Sequence, residues 1–177
     1  MPRLMRGDRT AFEQLVQCYE RPMFNVAYRM LGNATEAADA TQNVFLKVFE
    51  HLRGYNPKYR LFSWIYRIAV NESIDRLEQR KRTAASTDPV DDLTFAGSER
   101  GPDELVGNQQ MHDLIQASLM SLQDEYRAVI VLRHFSECSY RQMAEILDIP
   151  EKTVKSRLHT ARMLLREKLC TQGVKTA

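Results

Sequence analysis

The stretch from Ser139 to Lys168 constrains this chain most, because its pattern fits one local fold. Ser139, with Gln142 three residues on, makes a capping box for a helix whose buried stripe is Met143, Ala144 and Leu147. Asp148-Ile149-Pro150 breaks that helix. Pro150 suits the entry to the next one, where its missing N–H costs least. In that second helix Val154, Leu158, Ala161 and Leu165 recur at spacings of four, three and four, so they share a face. Lys152, Lys155, Ser156, His159, Arg162 and Arg166 fall on the other side. A helix anchored by one face and cationic on the other, held by a tight turn, is what the DNA major groove accepts. Arg157 projects near the buried face and is expected to pack or pair. The competing reading is a solvated charged helix; the compact turn and the upstream cap favour DNA.

The rest of the chain reads as helix. A first helix is expected from Arg9 to Met30, capped by Asp8, with Phe12, Leu15, Val16, Tyr19, Met23, Val26, Ala27 and Met30 as its stripe. Pro22 should kink or split it. Gly32 ends it, and Asn33 caps a second helix from Ala34 to Leu52. A third runs from Phe62 to Arg82. Residues 86–108 hold Pro89, Pro102 and six acids with little helical period, and read as a linker. Helices resume from Pro102 to Leu122, with Met111, Leu114, Ile115, Leu119 and Leu122 inward, and from Asp124 to Phe135. No strand pattern and no internal repeat occurs. The expected class is all-α: two small helical domains, residues 1–85 and 109–177, joined by a flexible acidic linker.

Charge distribution says more than the net +2. Residues 1–85 carry 14 Lys/Arg against 9 Asp/Glu, residues 86–108 carry 1 against 6, and residues 109–177 carry 10 against 8. Two cationic blocks flanking an acidic one fit nucleic acid touched at two places. Cys18, Cys138 and Cys170 are odd in number and far apart, so neither a disulfide framework nor a zinc ribbon is indicated. His134 and Cys138, four apart, lack further ligands nearby, and ordinary packing is the better reading. No metal or cofactor is expected. No apolar run approaches a membrane span and no signal-peptide core is present, so the expected location is the cytoplasm. No P-loop, HExxH or GxSxG occurs, and an enzyme is not expected. From Leu52 to Arg82, aromatics (Tyr55, Tyr59, Phe62, Trp64, Tyr66) alternate with cations including Lys58, Arg60, Arg76, Arg80, Lys81 and Arg82. Exposed aromatics stack on unpaired bases while cations hold the backbone. Phe62 and Trp64 read better as core.

The chain resembles a bacterial RNA polymerase sigma factor of the extracytoplasmic function (ECF) group of the sigma-70 family. Four stretches carry the resemblance, in family order and spacing: Asp39-Ala-Thr-Gln-Asn-Val-Phe-Leu-Lys-Val-Phe, Phe62-Ser-Trp-Ile-Tyr-Arg-Ile-Ala-Val-Asn, Leu122-Gln-Asp-Glu-Tyr-Arg-Ala-Val-Ile-Val-Leu-Arg, and Ser139 to Leu165. The resemblance implies a region 2 domain in which Asp39, Gln42, Asn43, Phe45, Leu46 and Lys47 dock on the coiled coil of the polymerase β′ clamp. Tyr55, Lys58, Arg60 and Asn71 would meet flipped bases and single strand of the −10 element, and Arg76, Arg80, Lys81 and Arg82 its phosphates. A region 4 domain would set Lys155, Ser156, His159, Arg162 and Arg166 in the −35 major groove, with Lys152 and Thr153 near phosphate at the helix N-terminus, and would touch the β flap.

The implied partners are core RNA polymerase, promoter DNA and an anti-sigma factor. The linker would thread the RNA exit path. Three departures from the family stand out: Asn43 replaces a usual acid, Asp148 takes a turn position often given to Gly, and most of the usual leading helix is missing before Gly7. Asp tolerates left-handed backbone, so the turn is expected to survive. Val174 to Ala177 leaves only a short tail, with no further C-terminal domain expected. Two rivals are an ordinary helix-turn-helix regulator that binds duplex DNA without polymerase, and a sigma-like adaptor that binds polymerase without reading DNA.

Overall fold

The computed structural model describes residues 2–58, 60–86 and 106–171. Tyr59 and residues 87–105, most of the expected linker, lie outside the described residues. The described chain is helical throughout, with no strand among the described residues. A single turn, α1 (Pro2–Met5), precedes α2 (Arg9–Leu31). The Asp8 carboxylate caps α2 by accepting from Ala11 N–H at 3.2 Å. The expected interruption at Pro22 does not occur: α2 runs through it unbroken. The proline removes one backbone bond, while Leu15, Met23, Val26, Ala27, Met30 and Leu31, buried on both sides of it, hold the helix to the core.

Gly32 ends α2 at φ 75°. A Cβ there would lie 2.9 Å from Met120 Sδ, a contact the flexible methionine can relieve, so it is the left-handed backbone that calls for glycine. Asn33 Oδ1 accepts from Glu36 N–H at 3.0 Å and starts α3 (Ala34–His51). A 3-10 turn, Leu52–Gly54, then leads toward α4 (Leu61–Ser86), which is longer than the sequence period suggests.

In the second half, α5 (Val106–Met120) buries Leu119 but leaves Met111 43% exposed, contrary to its place in the expected stripe. The polar residues Gln116 and Ser118 are fully buried beside Leu119. The expected helix Asp124–Phe135 changes character midway. α6 (Asp124–Ile130) widens into a π-helical turn, Val131–Phe135, closed by Ser136 N–H on Val131 C=O at 3.1 Å. Ser139 forms the reciprocal capping box of α7 (Tyr140–Leu147): its hydroxyl accepts from Gln142 N–H at 3.2 Å and its N–H donates to Gln142 Oε1 at 2.8 Å. Asp148 takes the left-handed turn at φ 55°, as expected. The Pro150 carbonyl accepts the first bonds of α8 (Glu151–Thr171).

The two halves share one hydrophobic core. Arg127, 3% exposed, reaches from α6 to α2 and donates to Met30 C=O at 2.6 Å, while also holding the carbonyls of Leu119, Met120 and Leu122. Gln116 accepts from Arg29 Nη1 at 3.0 Å and donates to Tyr28 C=O at 3.2 Å. Helix α7 lies on α4: the Ser63 hydroxyl donates to Glu145 Oε2 at 2.8 Å, and Arg67 binds the Glu145 carbonyl and Asp148. Lys81 and Asp124 close the far end at 2.6 Å.

Candidate nucleic-acid interface

Helix α8 presents the surface that its sequence period suggests. Val154, Leu158 and Ala161 are buried, and Leu165 is half-buried. Lys152, Lys155, Ser156, His159, Arg162 and Arg166 are all exposed, and Thr153 is half-buried near the N-terminus. Arg157 does not join that face; it pairs with Glu125 of α6 at 2.9 Å. Lys155 lies 5.5 Å from the Tyr140 ring centroid and 3.2 Å from Glu151 Oε1. The same ring carries the Arg133 guanidinium at 5.3 Å, fixed by a bond to Cys138 C=O at 3.0 Å. Arg133 and Tyr140 therefore border the cationic face, which the sequence reading missed. The signal was there in part: Arg133 closes one of the four quoted stretches and Tyr140 opens another.

Arg162 Nε donates to His134 Nε2 at 3.3 Å. Burial, with Arg162 and Arg133 adding to it, pushes the His134 imidazole below its ordinary pKa, so at neutral pH it is the acceptor this bond needs. Cys138, buried behind the turn, is pushed up to about 11 by burial and stays a thiol. His134 and Cys138 have no metal-site companions among the described residues.

On the first half the expected residues divide. Lys58, Arg60 and Asn71 are exposed. Tyr55 is not: it is 7% exposed, with its ring 5.0 Å from that of Trp64, so in this arrangement it packs rather than offering a face for stacking. Phe62 and Trp64 are half-buried against the core. The four expected phosphate cations are all engaged by acids: Arg76 with Glu72 at 2.9 Å, Arg80 with Glu36 at 3.7 Å, Lys81 with Asp124 at 2.6 Å and Arg82 with Glu78 at 3.0 Å. The Arg80, Lys81 and Arg82 pairs reach solvent and exchange readily for phosphate, being worth little in water, whereas Arg76 is held on the buried Glu72 carboxylate.

Helix α3 turns two faces outward. Asp39, Gln42 and Leu46 are exposed, Leu46 at 60%, while Phe45 is 9% exposed and lies in the floor. Between α2 and α3 runs a groove of about 700 Å³ lined by Phe12, Val16, Phe24, Phe45, Leu46 and Phe49. Phe49, 61% exposed, is held edge-on to Phe12 at 5.3 Å. Asn43 and Lys47 turn the other way, to Glu72 on α4, at 3.0 and 2.6 Å. Burial alone would raise Glu72, but hydrogen bonds from Lys47, Asn43 and Arg76 outweigh it and hold the carboxyl below its ordinary range. Sequence reading missed Glu72, because one acid on a charged helix carries no signal.

The family models for Sigma-70 region 2 and Sigma-70 region 4 match residues 15–83 and 112–165. The ECF RNA polymerase sigma factor SigW of Bacillus subtilis (strain 168) is 34% identical over 176 residues, covering 93% of this chain and 91% of that protein. The ECF sigma factor SigE of Mycolicibacterium smegmatis is 30% identical over 174 residues, covering 97% and 67%. Among solved structures, the sigma factor RpoE bound to the anti-sigma factor NepR from Bartonella quintana superposes with a TM-score of 0.72 at 22% identity, covering 90% of this chain and 96% of that one. CnrH bound to the cytosolic domain of CnrY gives 0.69 at 22% identity, covering 94% and 92%. With both regions matched in order and a relative alike along nearly its whole length, this chain belongs to the ECF group of the sigma-70 family of RNA polymerase sigma factors.

Proposed function

We propose that this sigma factor docks on core RNA polymerase through α3 and the apolar groove beside it, and reads a two-part promoter with α4 and α8. Helix α8 would enter the −35 major groove, with Lys155, Ser156, His159 and Arg162 toward base edges and Lys152, Thr153 and Arg166 toward phosphate. Lys58, Arg60 and Asn71 would meet the −10 strand as it opens, and Arg80, Lys81 and Arg82 would trade their carboxylates for phosphates, with Arg76 beside them still held on Glu72. Asp39, Gln42 and Leu46, above the floor laid by Phe45, form the docking row. The chain forms no bonds of its own; binding energy to unpaired bases, roughly 1–3 kcal/mol for each stacked one, drives melting.

The observation that carries this reading is the α8 surface: six polar or cationic side chains exposed above a buried stripe. Residues 1–85 and 109–177 act as separable units in this scheme. The −35 and −10 elements lie about 25 base pairs apart, roughly 85 Å along duplex DNA at 3.4 Å per pair. In the free chain Ser63 of one half and Glu145 of the other are 2.8 Å apart, so the halves must part before both elements are held. An anti-sigma factor is the natural antagonist, since the structurally similar RpoE of Bartonella quintana is bound to one. No helix among the described residues is long and apolar enough to cross a membrane. Acting on the polymerase, the protein would work where the polymerase is, in the cytoplasm.

The test is run-off transcription on a library of promoter fragments, with and without the protein. Transcripts that need both core polymerase and this chain, from templates sharing two spaced elements, support the proposal. Binding to duplex DNA without core, and no new transcript, leaves the helix-turn-helix regulator instead.

A further inference from the structure

Among the described residues Glu72 is the only buried acid. It stands on α4 and gathers three donors: Asn43 Nδ2 at 3.0 Å and Lys47 Nζ at 2.6 Å from α3, and Arg76 Nε at 2.9 Å from its own helix. Asp75 adds a second, exposed carboxylate 3.7 Å from Lys47. Lys47 is the only lysine or arginine in α3. At 3.6 residues per turn, Asp39, Gln42, Leu46 and Glu50 fall within about 80° of one another, and Lys47 lies about 60° beyond Glu50, at the border of that row. The row therefore carries two acids and no cation of its own helix, because Lys47, the one cation of α3, is pulled across to α4.

We propose that Glu72 is a positioning residue for polymerase docking: by holding Lys47 back against α4 it keeps the α3 face acidic, fitted to a cationic surface on the partner. The inference rests on the docking role given to α3 above. Without the Glu72 charge, Lys47 keeps only Asp75, which is 68% exposed and well solvated. The released ammonium lies one turn from Glu50, which it then neutralises. It also sets a like charge against the partner, a juxtaposition that suppresses docking.

The experiment measures affinity of the full-length protein for core RNA polymerase by fluorescence competition, at low and high salt, with thermal midpoints recorded for each variant. Glu72→Gln is expected to weaken binding roughly three- to tenfold at low salt and less at high salt. The double variant Glu72→Gln/Lys47→Gln, which has no α3 cation left to release and shares the freed Arg76 of α4 with the single variant, is expected to return to within about twofold of the wild type. A merely structural Glu72 gives the opposite: removing Lys47 as well cannot rebuild a lost helix contact, and the double variant stays as weak as the single or weaker. That result overturns the inference, as does Glu72→Gln binding like the wild type. Failure of the wild type to bind core overturns the docking role itself.

Discussion

At the scale of single residues the fold is held by buried polar groups that look like surface residues in the sequence. Arg127 is the clearest. Its guanidinium holds four backbone carbonyls at and just past the ends of α2 and α5. Arg127→Ala is expected to cost roughly 3–5 kcal/mol, because the carbonyls stay buried without it; urea unfolding measures it. Glu72 sets a pH dependence. Its pKa is lowered on folding, so the stability it lends is present above the ordinary carboxylate range and is lost as pH falls through the folded value. Thermal midpoints across the acid range should therefore fall less steeply in Glu72→Gln than in the wild type. Cys138 is buried and its thiol pushed up to about 11, while Cys18 and Cys170 are exposed. A thiol reagent at pH 8 is expected to modify two cysteines in the folded protein and the third only after denaturation. On the DNA face, Lys155→Ala and Arg162→Ala are each expected to cost roughly 1–3 kcal/mol of −35 recognition if they read bases, or one unit of salt slope if they touch phosphate. Titrating the holoenzyme with promoter at several salt concentrations separates the two. None of the packing roles was legible in advance: Arg127, Gln116 and Glu72 gain their meaning from partners 29 to 97 residues away.

At the scale of elements most of the architecture was legible, because caps and periods are local. Asp8, Asn33 and Ser139 cap helices where their spacing to the first turn said they would, and the helix-turn-helix followed from one capping box, one left-handed Asp and one proline. Ser139→Ala is expected to cost about 1 kcal/mol, read by thermal melting, since it removes the hydroxyl half of the box and leaves only the backbone N–H bond to Gln142. Two elements were misjudged for the same physical reason. Pro22 weakens its helix locally, and the apolar stripe that overrides it is tertiary. The π-helical turn at Val131–Phe135 has an unexceptional helical sequence; it widens because Val131 and Leu132 are held in the core while Cys138 must also reach it. The Leu52–Arg82 segment shows the limit of composition. Its interleaved aromatics and cations do fall on one loop and helix, but packing removes Tyr55 from the surface, and composition alone cannot tell a buried ring from an open one.

At the scale of the molecule the free chain is packed as one body, with the start of α4 under α7 and Lys81 tied to Asp124. The polar links between the halves that involve charged side chains include Arg67 with Asp148, Lys81 with Asp124, Arg29 with Gln116, Ser63 with Glu145, and Arg127 with the Met30 carbonyl. Two of them are ion pairs, the Arg67 and Lys81 pairs. Reversing both together, Asp124→Lys with Asp148→Lys, is expected to loosen the packed form and raise the radius of gyration in small-angle X-ray scattering. An unchanged radius would assign the packing to the apolar core alone. The central claim is that this chain reads two promoter elements, one as duplex and one as single strand, and only on the polymerase. Combined DNase I and permanganate footprinting on a promoter found by run-off transcription tests it most directly. The account predicts −35 protection that fades in the Lys155 and Arg162 variants, together with reactive thymines at −10, both requiring core polymerase. Protection of duplex DNA by the protein alone, with no reactive thymines when core is added, would contradict it.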